Sequence, residues 1–316
     1  MSFKNITVIG GGILGSQIAY QSAYKGFHVR VYLRGEASIE RAKPKFARWH
    51  KIYLEELEDA KAFVGANHQV SRGLLPSLKD ITTEQIETCK RQADAAWQGM
   101  EYHTDLAEAL MDADLVIESM AEDPAQKTAM YRQMAPLLPE QTILVTNSST
   151  LLPSVFRDDT GRPERFLALH FANEIWRNNV AEIMGHDATS PECFRAVVEF
   201  AEQIGMIPLC LKKEQPGYLL NSMLVPLLNA AQSLLANEVA DPETIDLAWT
   251  LGTGAPAGPF RILDVVGLTT AYNIVAMNPQ ASDRSTTPGK IAALLRKYLD
   301  EGKTGVTAGE GFYKYR

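Results

Sequence analysis

Histidine is scarce in this chain, with six in 316 residues, and His170 closes the apolar run FLALH. Imidazole exchanges a proton near neutral pH without help from its surroundings. Twelve positions later Glu182 lies inside a second apolar run, VAEIM, where a carboxylate is costly unless a partner satisfies it. Together the two make an oriented general base. Taken singly, His170 also reads as a satisfied core histidine and Glu182 as an ordinary edge carboxylate. The run Asn147-Ser148-Ser149-Thr150 ends another apolar stretch. It either brings short polar groups to the same rim or forms a plain turn of side-chain to backbone bonds.

These groups need a scaffold and something to react with, and the N-terminal stretch NITVIGGGILGSQIAYQSAYKG offers both. Ile6, Val8 and Ile9 favour a strand, after which Gly10, Gly12 and Gly15 give the spacing G-x-G-x-x-G, with Ile13 and Leu14 between the last two. The first glycine allows a tight turn, the second lets backbone approach a pyrophosphate, and the third lets the following helix pack on the strand. Unpaired NH groups at the start of that helix bind anions. A helix stop at Gly26 and a second strand through Val29, Val31 and Leu33 complete the unit. The stretch predicts a bound dinucleotide.

Further strands are expected at 114–118, 142–146, 166–170, 180–184 and 207–211, with helices near 105–111, 124–136 and from Ser190. Such alternation signals a parallel sheet, whose ligands bind beyond the carboxyl ends of the strands, where His170 and the 147–150 run fall. Residues 36–97 read mostly as helix, with Phe46, Trp49, Ile52, Tyr53 and Leu57 at helical spacing and with Pro44 and Pro76 breaking it into pieces. From Pro216 onward only helices are expected, over 218–237, 242–251, 259–277 and 287–299. The fold class is therefore α/β: a Rossmann-type dinucleotide-binding domain, 1–213, with a helical arm at about 36–97, followed by an all-α domain, 214–316.

A hydrophobic content of 46% supports a substantial core, and a net charge of −7 argues against a nucleic-acid partner. Cys89, Cys193 and Cys210 are far apart, form no CxxC pair and leave an odd thiol. They read as reduced and structural, and no metal is expected. The chain enters its first strand within a few residues of Met1, with no signal-peptide h-region and no run of about 18 apolar residues. A soluble cytoplasmic protein with no membrane association is expected.

These residues together resemble the 3-hydroxyacyl-CoA dehydrogenase family. The resemblance rests on Asn147-Ser148-Ser149, on His170-Phe171-Ala172-Asn173 with Glu182 twelve positions after the histidine, and on PGYLLNSMLVPLL from Pro216. GAPAGPFRILDVVGL from Gly254 and GEGFYKYR at the C-terminus extend it. It implies an NAD(P)-dependent oxidoreductase interconverting a 3-hydroxyacyl-CoA and its 3-oxo form. His170 would act as general acid and base, oriented by Glu182, and Ser149 and Asn221 would hold the substrate. Glu122, Lys127, Asn147 and Asn173 match cofactor-contacting positions, although Lys127 also reads as an ordinary exposed helix lysine. The family's helical arm contacts coenzyme A, which makes Lys43 and Lys45 candidates for that substrate, yet residues 34–103 match poorly, and a solvated basic helix face is the plain alternative. A homodimer through the helical domain is implied too. Ala172 and Glu174 stand where the family has a second Phe and a Pro, so the pocket is expected to differ. Relatives acting on free hydroxy acids, of L-gulonate or carnitine type, and catalytically silent crystallin-like relatives are the alternatives.

Cofactor choice turns on the end of the second strand, VRVYLRGE. NAD-binding members of this fold place an acid there to accept bonds from the ribose. Here the position is Leu33, and Arg34 beside it suits a 2′-phosphate, so NADP is favoured over NAD unless Glu36 reaches the ribose.

Overall fold

The computed structural model describes residues 3–68, 71–75 and 77–315. They divide into two compact units, Met1–Leu219 and Leu220–Arg316. Pro76 lies outside the described residues.

In the first unit, β1 (Asn5–Ile9) leads through the glycine turn into α1 (Ile13–Tyr24) and β2 (His28–Tyr32). The arm follows as α2 (Glu36–Ala60) and α3 (Thr83–Gln98), then β3 (Glu101–His103), α4 (Leu106–Leu110), β4 (Leu115–Glu118), α5 (Pro124–Met134) and β5 (Ile143–Thr146). β6 (Phe166–Phe171), β7 (Val180–Met184), α6 (Pro191–Gln203) and β8 (Ile207–Cys210) complete it. The eight strands form one sheet in the order β3-β2-β1-β4-β5-β6-β7-β8. β4 and β5 are buried along their whole length, as strands covered on both faces must be. Leu115, Ile117, Ile143 and Val145 join the core beneath α1 and the arm, whereas Val116 and Leu144 pack with Tyr131 and Phe156. That is the two-residue alternation of a pleated strand serving two cores.

Four features of the first unit depart from the sequence reading. The sheet is mixed, because β7 runs antiparallel to β6. Only residues 172–179 join them, and a parallel crossover needs a dozen or more. β3, a three-residue edge strand, carries too little pattern to be read in advance. Pro44 does not break the arm: α2 continues through it, burying Ile39, Ala42, Phe46, Trp49, Tyr53 and Leu57 along one stripe. Burial of that stripe on both sides of the proline outweighs the roughly 3 kcal/mol an interior proline costs. Cys210 is exposed, although Cys193 is buried; all three thiols are free.

The second unit contains α7 (Leu220–Ala236), α8 (Pro242–Thr253), α9 (Pro259–Val266), α10 (Leu268–Ala276) and α11 (Thr287–Asp300) around Leu228, Phe260, Leu263, Leu268 and Leu295. The single helix expected over 259–277 is two, because Gly267 adopts φ 92° and ends α9. Asp264 explains the C-terminal motif: its carboxylate accepts from the NH groups of Phe312 (2.8 Å) and Tyr313 (2.9 Å) and from the Tyr315 hydroxyl (2.8 Å). A Cβ at Gly311 would lie 2.0 Å from that carboxylate, so only glycine fits. Among the described residues no helix is long and apolar enough to cross a membrane.

Candidate active site

His170 and Glu182 sit directly opposite each other in the β6–β7 pairing. Their twelve-residue separation is thus that of two neighbouring strands joined by a short loop, and cross-strand side chains at such a pair meet. His170 Nδ1 lies 2.9 Å from Glu182 Oε2, and both residues are buried. An ionised carboxylate only accepts, so Nδ1 carries the hydrogen and Nε2 is left with its lone pair. Nε2 faces the Ser149 hydroxyl at 3.2 Å. The other Glu182 oxygen, Oε1, accepts from the Leu219 NH at 2.8 Å, so neither oxygen is idle and the carboxylate cannot swing away. What results is a proton acceptor of fixed tautomer, with a hydroxyl beside it, at the sheet rim.

Tyr218 was not read from the sequence as part of this site. Its ring stacks on the His170 imidazole, centroids 4.6 Å apart and planes within 19°, and its hydroxyl donates to the Ser148 carbonyl at 2.8 Å. Burial pushes its phenol well above the usual range, so it stays neutral and donates. Gly217 and Tyr218 both take left-handed backbone angles, φ 79° and 54°, and the helix expected from Tyr218 begins at Leu220. The Pro-Gly-Tyr sequence was the available signal. Asn221 lies on the first turn of α7, in the second unit.

The rim beside β4 and β5 is built on Glu118, likewise missed. It is fully buried, and its carboxylate accepts from Lys127 Nζ (2.7 and 2.8 Å), the Tyr131 hydroxyl (2.6 Å), Thr146 Oγ1 (2.7 Å) and the Met120 NH (2.7 Å). Lys127 is therefore no exposed helix lysine: its ammonium is buried in this network, 3.7 Å from Glu122 Oε2. Glu122 in turn accepts from Ser148 Oγ and from the NH (2.8 Å) and hydroxyl (2.8 Å) of Thr150. Partial burial opposes its ionisation, but these hydrogen bonds outweigh burial and hold its carboxyl below the usual range. Glu122 thereby shapes the Ser148–Leu151 turn on which Ser149 rides.

Asn147 donates to Ser119 Oγ (3.3 Å) and accepts from the Phe171 NH (3.1 Å), linking the ends of β4, β5 and β6. Beyond Phe171 the loop turns through Glu174 at φ 58°, an angle closed to proline. The Glu174 NH donates to Gln17 Oε1 on α1 at 2.9 Å, a bond proline could not make. Asn173 is exposed beside it, its carbonyl accepting from Asn178 Nδ2 at 2.9 Å. At the position of the family's proline this loop thus takes an angle and makes a bond that proline could not, tying it to the glycine-turn helix.

At the glycine turn, Gly10 (φ 111°) passes so close to Ser119 that a Cβ would meet its carbonyl at 2.6 Å, and a Cβ on Gly15 would lie 2.4 Å from the Gly10 carbonyl. Gly12, by contrast, would meet nothing within 4 Å. It is the N-cap of α1 and has no side-chain cap. The chain's own packing therefore requires two of the three glycines, and the third opens onto space facing uncapped NH groups, the place a pyrophosphate fits. Ile13 is exposed there and Leu14 half-buried. A cleft of about 250 Å³ continues from the turn, lined by Gly10, Gly12, Leu33, Arg34, Arg41 and Lys45 among others. The two arm lysines part company: Lys45 donates to the Gly11 carbonyl at 2.9 Å, while Lys43 is exposed on Glu40 at 2.8 Å.

Comparison with known proteins agrees with this geometry. The family description "3-hydroxyacyl-CoA dehydrogenase, NAD binding domain" matches residues 5–215, and "3-hydroxyacyl-CoA dehydrogenase, C-terminal domain" matches residues 217–315. The chain is 31% identical to the human mitochondrial hydroxyacyl-coenzyme A dehydrogenase, covering 99% of this chain and 91% of that protein. It is 31% identical to a probable 3-hydroxybutyryl-CoA dehydrogenase of Bacillus subtilis, over 100% and 98% of the two chains. Among solved structures, a diketoreductase described for substrate-directed dual catalysis of dicarbonyl compounds is 45% identical with TM-score 0.85, covering both chains fully. The Rossmann-type sheet with its glycine turn, the helical second unit and these full-length likenesses together make the chain a member of the 3-hydroxyacyl-CoA dehydrogenase family of oxidoreductases.

Proposed function

We propose that this protein transfers hydride between NAD(P) and carbon 3 of a 3-hydroxyacyl or 3-oxoacyl compound. The single observation carrying the reading is the line Glu182–His170–Ser149 at 2.9 and 3.2 Å. His170 Nε2 takes the proton of the substrate hydroxyl in oxidation and returns it to the ketone oxygen in reduction. Glu182 keeps Nδ1 protonated and stabilises the imidazolium as it forms, and Tyr218 keeps the ring in plane. Ser149 donates to the substrate oxygen, and the family resemblance adds Asn221 to the same task. The bound nicotinamide supplies the hydride acceptor or donor; the open Gly12 corner, Glu122, Asn147 and Asn173 are the groups proposed to hold the dinucleotide. NADP is the form that Leu33 and Arg34 favour.

Family membership supports a coenzyme A thioester as the substrate. The diketoreductase likeness, at 45% identity against 31% for the dehydrogenases named above, favours a second reading in which the substrate is a dicarbonyl compound without coenzyme A. The altered loop at Ala172 and Glu174 is compatible with it. A panel of 3-oxoacyl-CoA thioesters, free 3-oxo acids and simple diketones, followed by the absorbance of the reduced nicotinamide, separates the two. Turnover confined to thioesters supports the first, turnover of diketones the second, and none with any member overturns both. A homodimer is also proposed, because Met223, Leu247, Leu251, Val265 and Met277 of the second unit are exposed apolar side chains that association would cover.

A further inference from the structure

We propose that Arg34, Ser38 and Arg41 form a subsite for a ribose monophosphate, fitted to the 2′-phosphate of NADP. The proposal rests on the dinucleotide reading above and adds the residues that distinguish the two cofactors. All three line the cleft that begins at Gly10, Gly11 and Gly12. Ser38, Arg41 and Lys45 are spaced three and four residues apart on α2, which puts them on one helix face.

The cations on that face have no carboxylate beside them among the described residues. On the same helix Lys43 pairs with Glu40 at 2.8 Å and Lys51 with Glu55 at 3.6 Å, and Arg48 lies over the Trp49 ring. Among the described residues Arg34, Arg41 and Lys45 pair with no carboxylate. Arg41 instead donates to Ser38 Oγ at 2.8 Å, and Lys45 to the Gly11 carbonyl at 2.9 Å. Uncompensated cations gathered in one cleft repel each other, and an anion bound among them removes that repulsion. Planar guanidinium groups suit phosphate oxygens in particular.

The acids that would oppose this are turned away. Leu33 is buried, and its side chain packs so tightly on the turn that a Cβ at Gly11 would lie 2.9 Å from Leu33 Cδ2. The strand end therefore offers ribose hydroxyls no carboxylate. Glu36 is exposed and does not line the cleft, and Glu40 is occupied by Lys43.

Adenosine bearing a ribose monophosphate occurs in two ligands of this chemistry, as the 2′-phosphate of NADP and as the 3′-phosphate of coenzyme A. Continuity of the cleft with the glycine turn commits the subsite to the first. The test is titration calorimetry of the full chain with NADP⁺, NAD⁺, adenosine 2′,5′-bisphosphate and adenosine 3′,5′-bisphosphate, using wild type, Arg41→Ala, Ser38→Ala and Leu33→Asp. Wild type should bind NADP⁺ at least about tenfold more tightly than NAD⁺, the effect of one or two charge-assisted bonds, and should prefer the 2′ isomer of the bisphosphate. Arg41→Ala should remove most of that ratio and Ser38→Ala part of it, while Leu33→Asp should turn the preference toward NAD⁺. Equal or tighter binding of NAD⁺ to wild type, or a ratio untouched by Arg41→Ala, would overturn the proposal. Preference for the 3′ isomer would give the cleft to coenzyme A and overturn it too. Failure to bind either dinucleotide would overturn the dinucleotide reading itself. Arg41 is exposed, so circular dichroism should show its variant folded.

Discussion

Replacing Glu182 with glutamine separates the charge of the site from its shape. The side chain keeps its size but loses its charge, and it retains one acceptor where there were two. In the native site one oxygen faces His170 Nδ1 at 2.9 Å and the other accepts the Leu219 NH at 2.8 Å. Glutamine can serve one of these donors, leaving the other facing an NH₂ group. An orphaned buried donor costs about 1–3 kcal/mol, which for a unit of this size lowers Tm by several degrees. The catalytic loss is larger. Unit charges about 4 Å apart at an effective dielectric constant near 20 attract by about 4 kcal/mol, the most that the carboxylate contributes to the imidazolium formed in the transition state. Allowing for the neutral hydrogen bond glutamine can keep, kcat should fall by about 10²–10³-fold, with cofactor Kd little changed. Steady-state rates over a pH series, with cofactor affinity from nicotinamide fluorescence, measure both. A variant turning over within about threefold of wild type would refute the electrostatic role.

Three other outcomes follow from the same structure. Lys127→Met leaves the Glu118 carboxylate buried and unpaired, at a cost of about 3–5 kcal/mol; thermal unfolding should show it, and an unchanged Tm would contradict the network described. Gln17→Leu removes the acceptor holding the Glu174 NH; a roughly tenfold fall in kcat is expected, restored largely by Gln17→Glu, whereas loss of stability alone would mean the bond is merely structural. Because the Glu122 carboxyl is held below its usual range by Ser148 and Thr150, its contribution is complete above the ordinary carboxylate pKa and is lost as pH falls through the depressed value. The Tm advantage of wild type over Glu122→Gln should therefore shrink in acid below about pH 4; an advantage that grows there would show the sign to be wrong.

The parts of this fold legible in the sequence are those fixed by short-range pattern. The glycine turn needs only β1 and α1 beside it, and the His170–Glu182 spacing is the reach of two adjacent strands and their loop. Tyr218 was hidden because its stacking on His170 and its bond to Ser148 span 48 and 70 residues, and Gln17 because it reaches across 157. The Pro-Gly-Tyr turn marks a break in the chain but does not say which distant group Tyr218 meets. Glu118 looked like a plain strand end, since the four side and main chains satisfying it come from α5, β5 and the turn after β4. Pro44 misled because a breaker rule weighs the proline alone and not the buried stripe on either side. Lys43 and Lys45 read together as candidates for one ligand; helical geometry sends Lys45, with Arg41, to the cleft and Lys43 away from it.

Catalysis turns on the proton that His170 Nε2 takes from the substrate hydroxyl and returns to the ketone oxygen. The decisive measurement is turnover of wild type and His170→Gln with the best substrate of the panel, alongside cofactor affinity by fluorescence. Glutamine can still accept a bond from Ser149 but cannot carry a proton away, so kcat should fall by about 10²–10⁴-fold with cofactor Kd unchanged within about twofold. A variant that keeps wild-type kcat while binding cofactor normally would contradict the assignment of His170 as the acid and base.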